Sequence, residues 1–243
     1  MKKMALFFLA GIFSLLATCS WAANFQAAGE AYKRGDYKQA IEIYRGLLDD
    51  CQISAPVYYN LGNSYFRAGN IAEAVLSYRR AFRLDPRDAD IRANLHLARS
   101  FVNDALATRS GILARFDVLL ERLTTDELEW LLAVLFMLMG VSGLYAVFFH
   151  VARRRVIILT ALGSVFWCMV AMTTAYRIML EKDEGVVIAA AEARFEPSHK
   201  ATVYFNVMAG GEVRILRQQE DWAKIERFDG KTGWIPAGKV ERL

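Results

Sequence analysis

WLLAVLFMLMGVSGLYAVFF (Trp130–Phe149) and VIILTALGSVFWCMVAMTTAY (Val156–Tyr176) stand on either side of a short loop that carries Arg153, Arg154 and Arg155. Neither run holds a charged residue. Each has about 20 residues, the length an α-helix needs to cross an apolar core of roughly 30 Å. A tight loop with three arginines is retained in the cytoplasm during insertion. The pair therefore reads as a transmembrane hairpin, with helices over 128–150 and 156–177 and both flanks on the opposite side. Trp130 and Tyr176 stand at its outer ends, where interfacial aromatics are favoured. No ionisable residue lies inside either run, which argues against a proton relay or ion path.

Working outward toward the N-terminus, Thr124-Thr125-Asp126-Glu127 has the form of a capping box that opens the first membrane helix. Before it, GILARFDVLLERL (Gly111–Leu123) gathers Ile112, Phe116, Leu119, Leu120 and Leu123 on one helical face. This juxtamembrane segment, 108–127, suits either the bilayer surface or a packed position on the preceding domain. At the start of the chain, Lys2 and Lys3 precede the apolar Met4–Leu16, and Ser20-Trp21-Ala22 fits a small-x-small cleavage site. Residues 1–22 thus read as a signal peptide. Leu16-Ala17-Thr18-Cys19 resembles a lipobox, so lipidation of Cys19 stays open. The leader inserts with its lysines inside, which agrees with the arginine loop.

Net charge is +4, and its location matters more than its size. Asn24–Ala107 holds 11 basic and 10 acidic residues, and Glu181–Leu243 holds 10 and 11. The excess lies at the membrane edges. No basic patch is evident on a soluble part, so nucleic acid is not an expected partner. The three cysteines, Cys19, Cys51 and Cys168, form neither a disulfide framework nor a metal-ligand spacing. No metal or cofactor is expected.

Residues 24–107 contain an internal period. GDYKQAIEIY (Gly35–Tyr44) matches GNIAEAVLSY (Gly69–Tyr78) at an offset of 34. The second unit carries Tyr58, Leu61, Gly62, Tyr65, Ala74, Tyr78, Ala81 and Pro86. Small residues at 62, 74 and 81 let helices approach, and Tyr58, Tyr65 and Tyr78 are expected to fill the core. Ser54 before Ala55-Pro56 suits an N-cap. A further helix over Ala89–Ala107 reads as a capping half-unit. This spacing resembles the tetratricopeptide repeat. The resemblance implies a groove, made by the first helix of each unit, that binds extended peptides and presents Tyr32, Asn60, Asn63, Phe66, Arg67 and Asn94. The carboxylate clamp of one subfamily is not reproduced, since Phe25 and Gly29 stand at its positions.

Residues 185–243 change to short apolar-alternating runs with turns at Gly210-Gly211 and Asp229-Gly230. Five strands in so short a segment suggest a small barrel. EDWAKIERFDGKTGWI (Glu220–Ile235) resembles the ending of bacterial SH3 domains. Trp222 and Trp234 read as barrel core or rim, with a ligand face as the alternative. His199 reads as an exposed loop residue.

The expected fold is a multidomain membrane protein: an α-helical repeat solenoid, a transmembrane helical hairpin and a small all-β SH3-like barrel. No phosphate loop, zinc-protease or nucleophile-elbow motif is present, and the expected role is non-enzymatic. In their order, leader, repeats, two-span hairpin and SH3-like domain, the parts resemble the BatE-like members of the Bat aerotolerance family. That resemblance implies an inner-membrane scaffold with both soluble domains in the periplasm. It further implies von Willebrand factor A-domain membrane proteins as partners, a MoxR-type AAA+ ATPase as an indirect one, and a role in aerotolerance or envelope stress. The alternative is a membrane protein that binds peptidoglycan through the SH3-like domain.

Overall fold

The computed structural model describes residues 21–50, 52–102, 124–148 and 153–243. Most of the expected leader, Cys51, most of the 108–127 segment and residues 149–152 lie outside the described residues. The chain forms two compact units. One combines Met1–Ala107 with Gly185–Leu243, and the other is Thr108–Glu184.

Among the described residues, five helices build the first half of the first unit: α1 over residues 21–33, α2 (Tyr37–Asp49), α3 (Ala55–Arg67), α4 (Ile71–Leu84) and α5 (Ala89–Ser100). The 34-residue step of the sequence recurs bond for bond where the helices turn. Gly35 N–H donates to Tyr32 O and Asp36 N–H to Ala31 O; one step on, Gly69 N–H donates to Phe66 O and Asn70 N–H to Tyr65 O. Gly35 and Gly69 take φ of +82° and +85°, a left-handed helix end that glycine reaches without a Cβ penalty. Asp36 then caps α2 by accepting from Gln39 N–H, and Asp88 caps α5 by accepting from Asp90 and Ile91 N–H. Ser54 stands at the N-cap position of α3 but makes no capping bond; Pro56 in the first turn sets the start of that helix.

Packing follows the same period. Ala40 and Ala74 are fully buried, as are Tyr44 and Tyr78 to within 2%. Gly62 exists for Tyr78: a Cβ there would stand 2.7 Å from the tyrosine ring. Tyr65 lies partly buried between both helical cores. Tyr58 departs from expectation. It is half-buried, and the Arg80 guanidinium lies 5.8 Å from its ring centroid, so a cation rather than the core covers it.

The second half of this unit is a seven-stranded sheet, not a five-stranded one. Its strands are β1 (Glu184–Val187), β2 (Ala191–Arg194), β3 (Val203–Val207), β4 (Glu212–Gln219), β5 (Trp222–Glu226), β6 (Thr232–Pro236) and β7 (Val240–Arg242), in the order β3-β2-β6-β5-β4-β1-β7. The two extra strands have local causes. The apolar run Gly185–Glu196 is interrupted where Ile188 N–H turns to Lys239 O and Lys239 Nζ donates to Ala190 O. The C-terminal residues then pair with β1, Val187 opposite Val240. Val187, Ala191, Ala193, Val207, Val213, Ile215, Ala223, Ile225 and Ile235 form the core of the sheet.

The helices and the sheet share one core. Val186 is completely buried in a cluster with Val75, Leu76, Leu95, Ala98 and Val102. At Gly210, in the β3–β4 turn, a Cβ would stand 2.6 Å from Val102 Cγ2 and 3.6 Å from Ala72 Cα. Glu212 enters the helical side with its side chain 8% exposed, and both its oxygens meet arginines.

Among its described residues the second unit is a pair of antiparallel helices, α6 (Thr125–Phe148) and α7 (Arg153–Lys182). The expected capping box opens α6: Thr124 N–H donates to Glu127 Oε2 at 3.0 Å, and Glu127 N–H to Thr124 Oγ1 at 3.2 Å. Trp167 Nε1 donates to Leu132 O, the Ser142 and Thr160 hydroxyls bond to each other, and Gly163 leaves room for Met139. Within α6, Glu127–Tyr145 is long and apolar enough to cross a membrane. The apolar stretch of α7, Ile157–Met172, is shorter. Thr160, Gly163, Ser164 and Trp167 dilute it.

Candidate functional site

The residues expected to line the groove fall into two groups. Tyr32, near the end of α1, packs edge-on against Tyr37 at 5.4 Å between centroids. Arg67, the last residue of α3, reaches the same place: its guanidinium carbon lies 5.8 Å from the Tyr37 ring centroid, and its Nε donates to Tyr37 Oη at 3.3 Å. Burial raises the Tyr32 phenol above its ordinary pKa, and the Arg67 charge pulls in the opposite direction. The hydrogen bond to Tyr37 strengthens the hold of Arg67 on its proton. Arg67 is exposed and has no acidic partner among the described residues.

Asn63 and Asn94 form the second group, on facing turns of α3 and α5. Tyr78 Oη donates to Asn63 Oδ1 at 2.7 Å, and Asn94 Nδ2 donates to Asn63 Oδ1 at 3.1 Å and to Tyr59 Oη at 3.0 Å. The amides thus tie the helices together. Burial raises the Tyr78 phenol strongly, so it stays a donor throughout the accessible pH range. Asn60 is half-buried; its carbonyl accepts from Ser64 Oγ. Phe66 is half-buried and meets Phe101 edge-on at 5.4 Å.

Four residues of this face were not among those expected: Tyr37, Tyr59, Leu97 and Phe101. Leu97 and Phe101 are 46% and 61% exposed; Phe101 meets Phe66, and Leu97 stands one turn before Phe101. A signal for both exists in the period, because Leu97 lies 34 residues after Asn63 and Phe101 lies 34 after Arg67. Tyr37 opens α2, outside the first helices of the units, so the groove rule does not reach it.

The junction between helices and sheet has its own chemistry. Arg99 forms a two-pronged pair with Glu212, Nε to Oε1 at 2.5 Å and Nη2 to Oε2 at 2.8 Å, while Arg79 Nε stands 3.1 Å from Oε2. Burial by itself raises the pKa of Glu212, and the charges of Arg79 and Arg99 outweigh it, so the carboxyl titrates below its ordinary value. A second pair, Arg80 with Glu241 at 2.8 Å, reinforces the contact beside β7, and Arg80 Nη2 also donates to Arg242 O.

In the sheet domain, the two tryptophans do not form an open face. Trp222 and Trp234 are 8% and 9% exposed, and the His199 ring lies 5.0 Å from that of Trp222. They are buried because β5 and β6 pair in the middle of the sheet, with Trp222 opposite Pro236. His199 is exposed, as expected. The aromatic surface lies elsewhere. Phe195 and Tyr204, 58% and 46% exposed, stack at 4.6 Å, and Tyr204 leads on to Phe205, over which Arg227 lies. Arg194 pins the loop beneath them through bonds to the carbonyls of His199 and Ala201.

No cluster of potential metal ligands exists among the described residues. The motifs and the geometry can be set beside known families. No curated protein matches the chain. Residues 55–88 match the model of the tetratricopeptide repeat. Residues 190–241 match that of the bacterial SH3 domain, so the chain carries one family of binding module on each side of its apolar helical pair.

Proposed function

We propose that this protein is a non-enzymatic membrane scaffold that presents its repeats and its SH3 domain to partners on one side of the bilayer. The observation that carries this reading is the junction at Glu212. Its residues come from both sides of α6 and α7 in sequence. A chain that crossed the membrane once between Arg99 and Glu212 would leave them separated by a hydrocarbon core of roughly 30 Å. The docked pair therefore favours an even number of crossings, with α7 as the return span and its polar residues facing α6. The arginines at 153–155 favour a cytoplasmic loop and periplasmic domains. Alkaline phosphatase fused after Leu243 should then be active. Inactivity there, with activity of a fusion at residue 152, reverses the orientation.

The same reading extends to partners. The order of parts resembles the BatE-like proteins, which points to von Willebrand factor A-domain membrane proteins as direct partners and a MoxR-type ATPase reached through them. The proposed topology leaves little of the chain in the cytoplasm, so the ATPase would act through other membrane subunits. Copurification from detergent-solubilised membranes tests it. Recovery of neither class of protein argues against the Bat assignment and leaves the scaffold to be judged by its other partners.

One observation favours a second reading. The exposed Phe195–Tyr204 pair is suited to stacking against a wall peptide or sugar. The full chain in detergent would then sediment with purified peptidoglycan, and the double substitution Phe195→Ala, Tyr204→Ala would abolish it. No sedimentation of the unaltered chain removes this alternative.

A further inference from the structure

We infer that the repeat groove takes an extended peptide carrying an acidic side chain and a bulky apolar one about three residues apart, the acid on Arg67 and the apolar group on Phe66, Leu97 and Phe101. This rests on the proposal that the repeats capture a partner segment, and it adds the chemistry of that segment. Three observations lead to it.

The first is the state of Arg67. Its guanidinium is laid over the Tyr37 ring and bonded to the Tyr37 hydroxyl, both neutral. An arginine held in place gives up little further entropy when it receives a carboxylate, and its planar fork suits one. Of the nearby cations, Lys33 pairs with Glu30 at 3.1 Å, and Arg34, like Arg67, bonds to a neutral group, Gln39. Arg67 is a positioned cation of the groove, held by both its hydrogen bond and its ring contact.

The second is the apolar end. The half-buried Phe66 meets the exposed Phe101 edge-on, and Leu97, one turn before Phe101, is exposed as well. Packed helices lie about 8–10 Å apart. The step from the Tyr37 side of α3 to α5 therefore spans about three residues of extended chain at roughly 3.3 Å each, which sets the spacing of the two side chains.

The third is that the sheet domain bounds this end. The β3–β4 turn seats Gly210 against Val102 and Ala72, and the flanking Phe101 and Met208 remain exposed, Met208 to 50%. Met208, two residues before Gly210 in this turn, is thereby brought to the Val102 end of α5, and its substitution decides whether it contributes to the site.

The test is selection of a random linear peptide library, displayed on phage, against the full chain in detergent micelles. Enriched peptides should combine Asp or Glu with Leu, Met or Phe at the stated spacing. A synthetic copy should bind at least about tenfold more weakly to Arg67→Glu and to Phe101→Asp, the loss of one charge-assisted bond or one apolar anchor. Met208→Asp should weaken binding by a smaller factor. All three positions are at the surface, and unchanged thermal unfolding confirms that the variants fold. Enriched peptides that lack acids, or that bind Arg67→Glu as well as the unaltered chain, overturn this inference while the capture role stands. Binding indifferent to Met208→Asp removes the turn from the site. No enrichment at all overturns the capture role itself.

Discussion

At the domain junction, Arg79 and Arg99 converge on a single buried carboxylate and share it as their counter-charge. In the groove, at the end of α3, Arg67 rests on the Tyr37 phenol with no acid among the described residues. The two places use the same residue type for opposite ends. A cation that holds a structure together is neutralised by the fold; one that is positioned and left unneutralised is available to something else. The junction should therefore respond to substitution through stability, and the groove through binding.

Glu212→Ala should have the largest effect. It leaves two guanidinium groups facing each other in a largely dry contact, and breaking a buried pair from one side costs about 3–5 kcal/mol. Helices and sheet should separate while each keeps its own core. Hydrogen exchange would read this directly, as faster exchange at the amides of Val102 and Val186, whose side chains share the cluster at the contact. Unchanged protection would mean that Val186 and the Arg80–Glu241 pair hold the domains without Glu212. The pH dependence carries the same sign. Because the folded Glu212 carboxyl titrates below its ordinary value of 4.5, its contribution is complete above that pH. It is lost as pH falls through the lower, folded value. Exchange at the junction should thus be flat from neutrality to about pH 5 and rise only in stronger acid.

On the groove side, Gly62→Val is next. Its side chain would enter the space of the Tyr78 ring, and overpacking of this kind costs about 1–3 kcal/mol. The strain falls between α3 and α4, beneath the groove, so exchange should quicken there and not at Val186. Tyr78→Phe keeps the ring and removes the bond to Asn63, at a cost of about 1 kcal/mol. Thermal unfolding of both variants would rank them. A Tyr78→Phe effect as large as that of Gly62→Val would mean that the amide network, more than packing, sets the spacing of α3 and α5.

How much of this was legible beforehand follows from the range of the forces. The repeat was plain because its determinants are local: a glycine that must take positive φ, an alanine under a tyrosine, a fixed step of 34 residues. The capping box at Thr124–Glu127 was legible for the same reason. Glu212 was not, because it lies 113 residues from Arg99, in a strand whose alternation says only that one face is apolar. Val186 reads as strand core, and nothing near it says that the core belongs to another domain. The tryptophans were legible as core, because the glycine-tryptophan pattern marks the central strand pair, while the exposed aromatics Phe195 and Tyr204 carry no motif.

Arg67→Ala should have the smallest effect on stability, leaving thermal unfolding close to that of the unaltered chain. Its bond to Tyr37 is exposed, and the guanidinium is equally well served by water. The same substitution should be costly for any acidic partner. If Arg67→Ala instead destabilised the repeats as much as Gly62→Val, the Arg67–Tyr37 contact would be a brace between α2 and α3, and the contrast with the junction would fail. If stability is unchanged and partner binding falls, the unneutralised arginine is explained by what it receives rather than by what it supports.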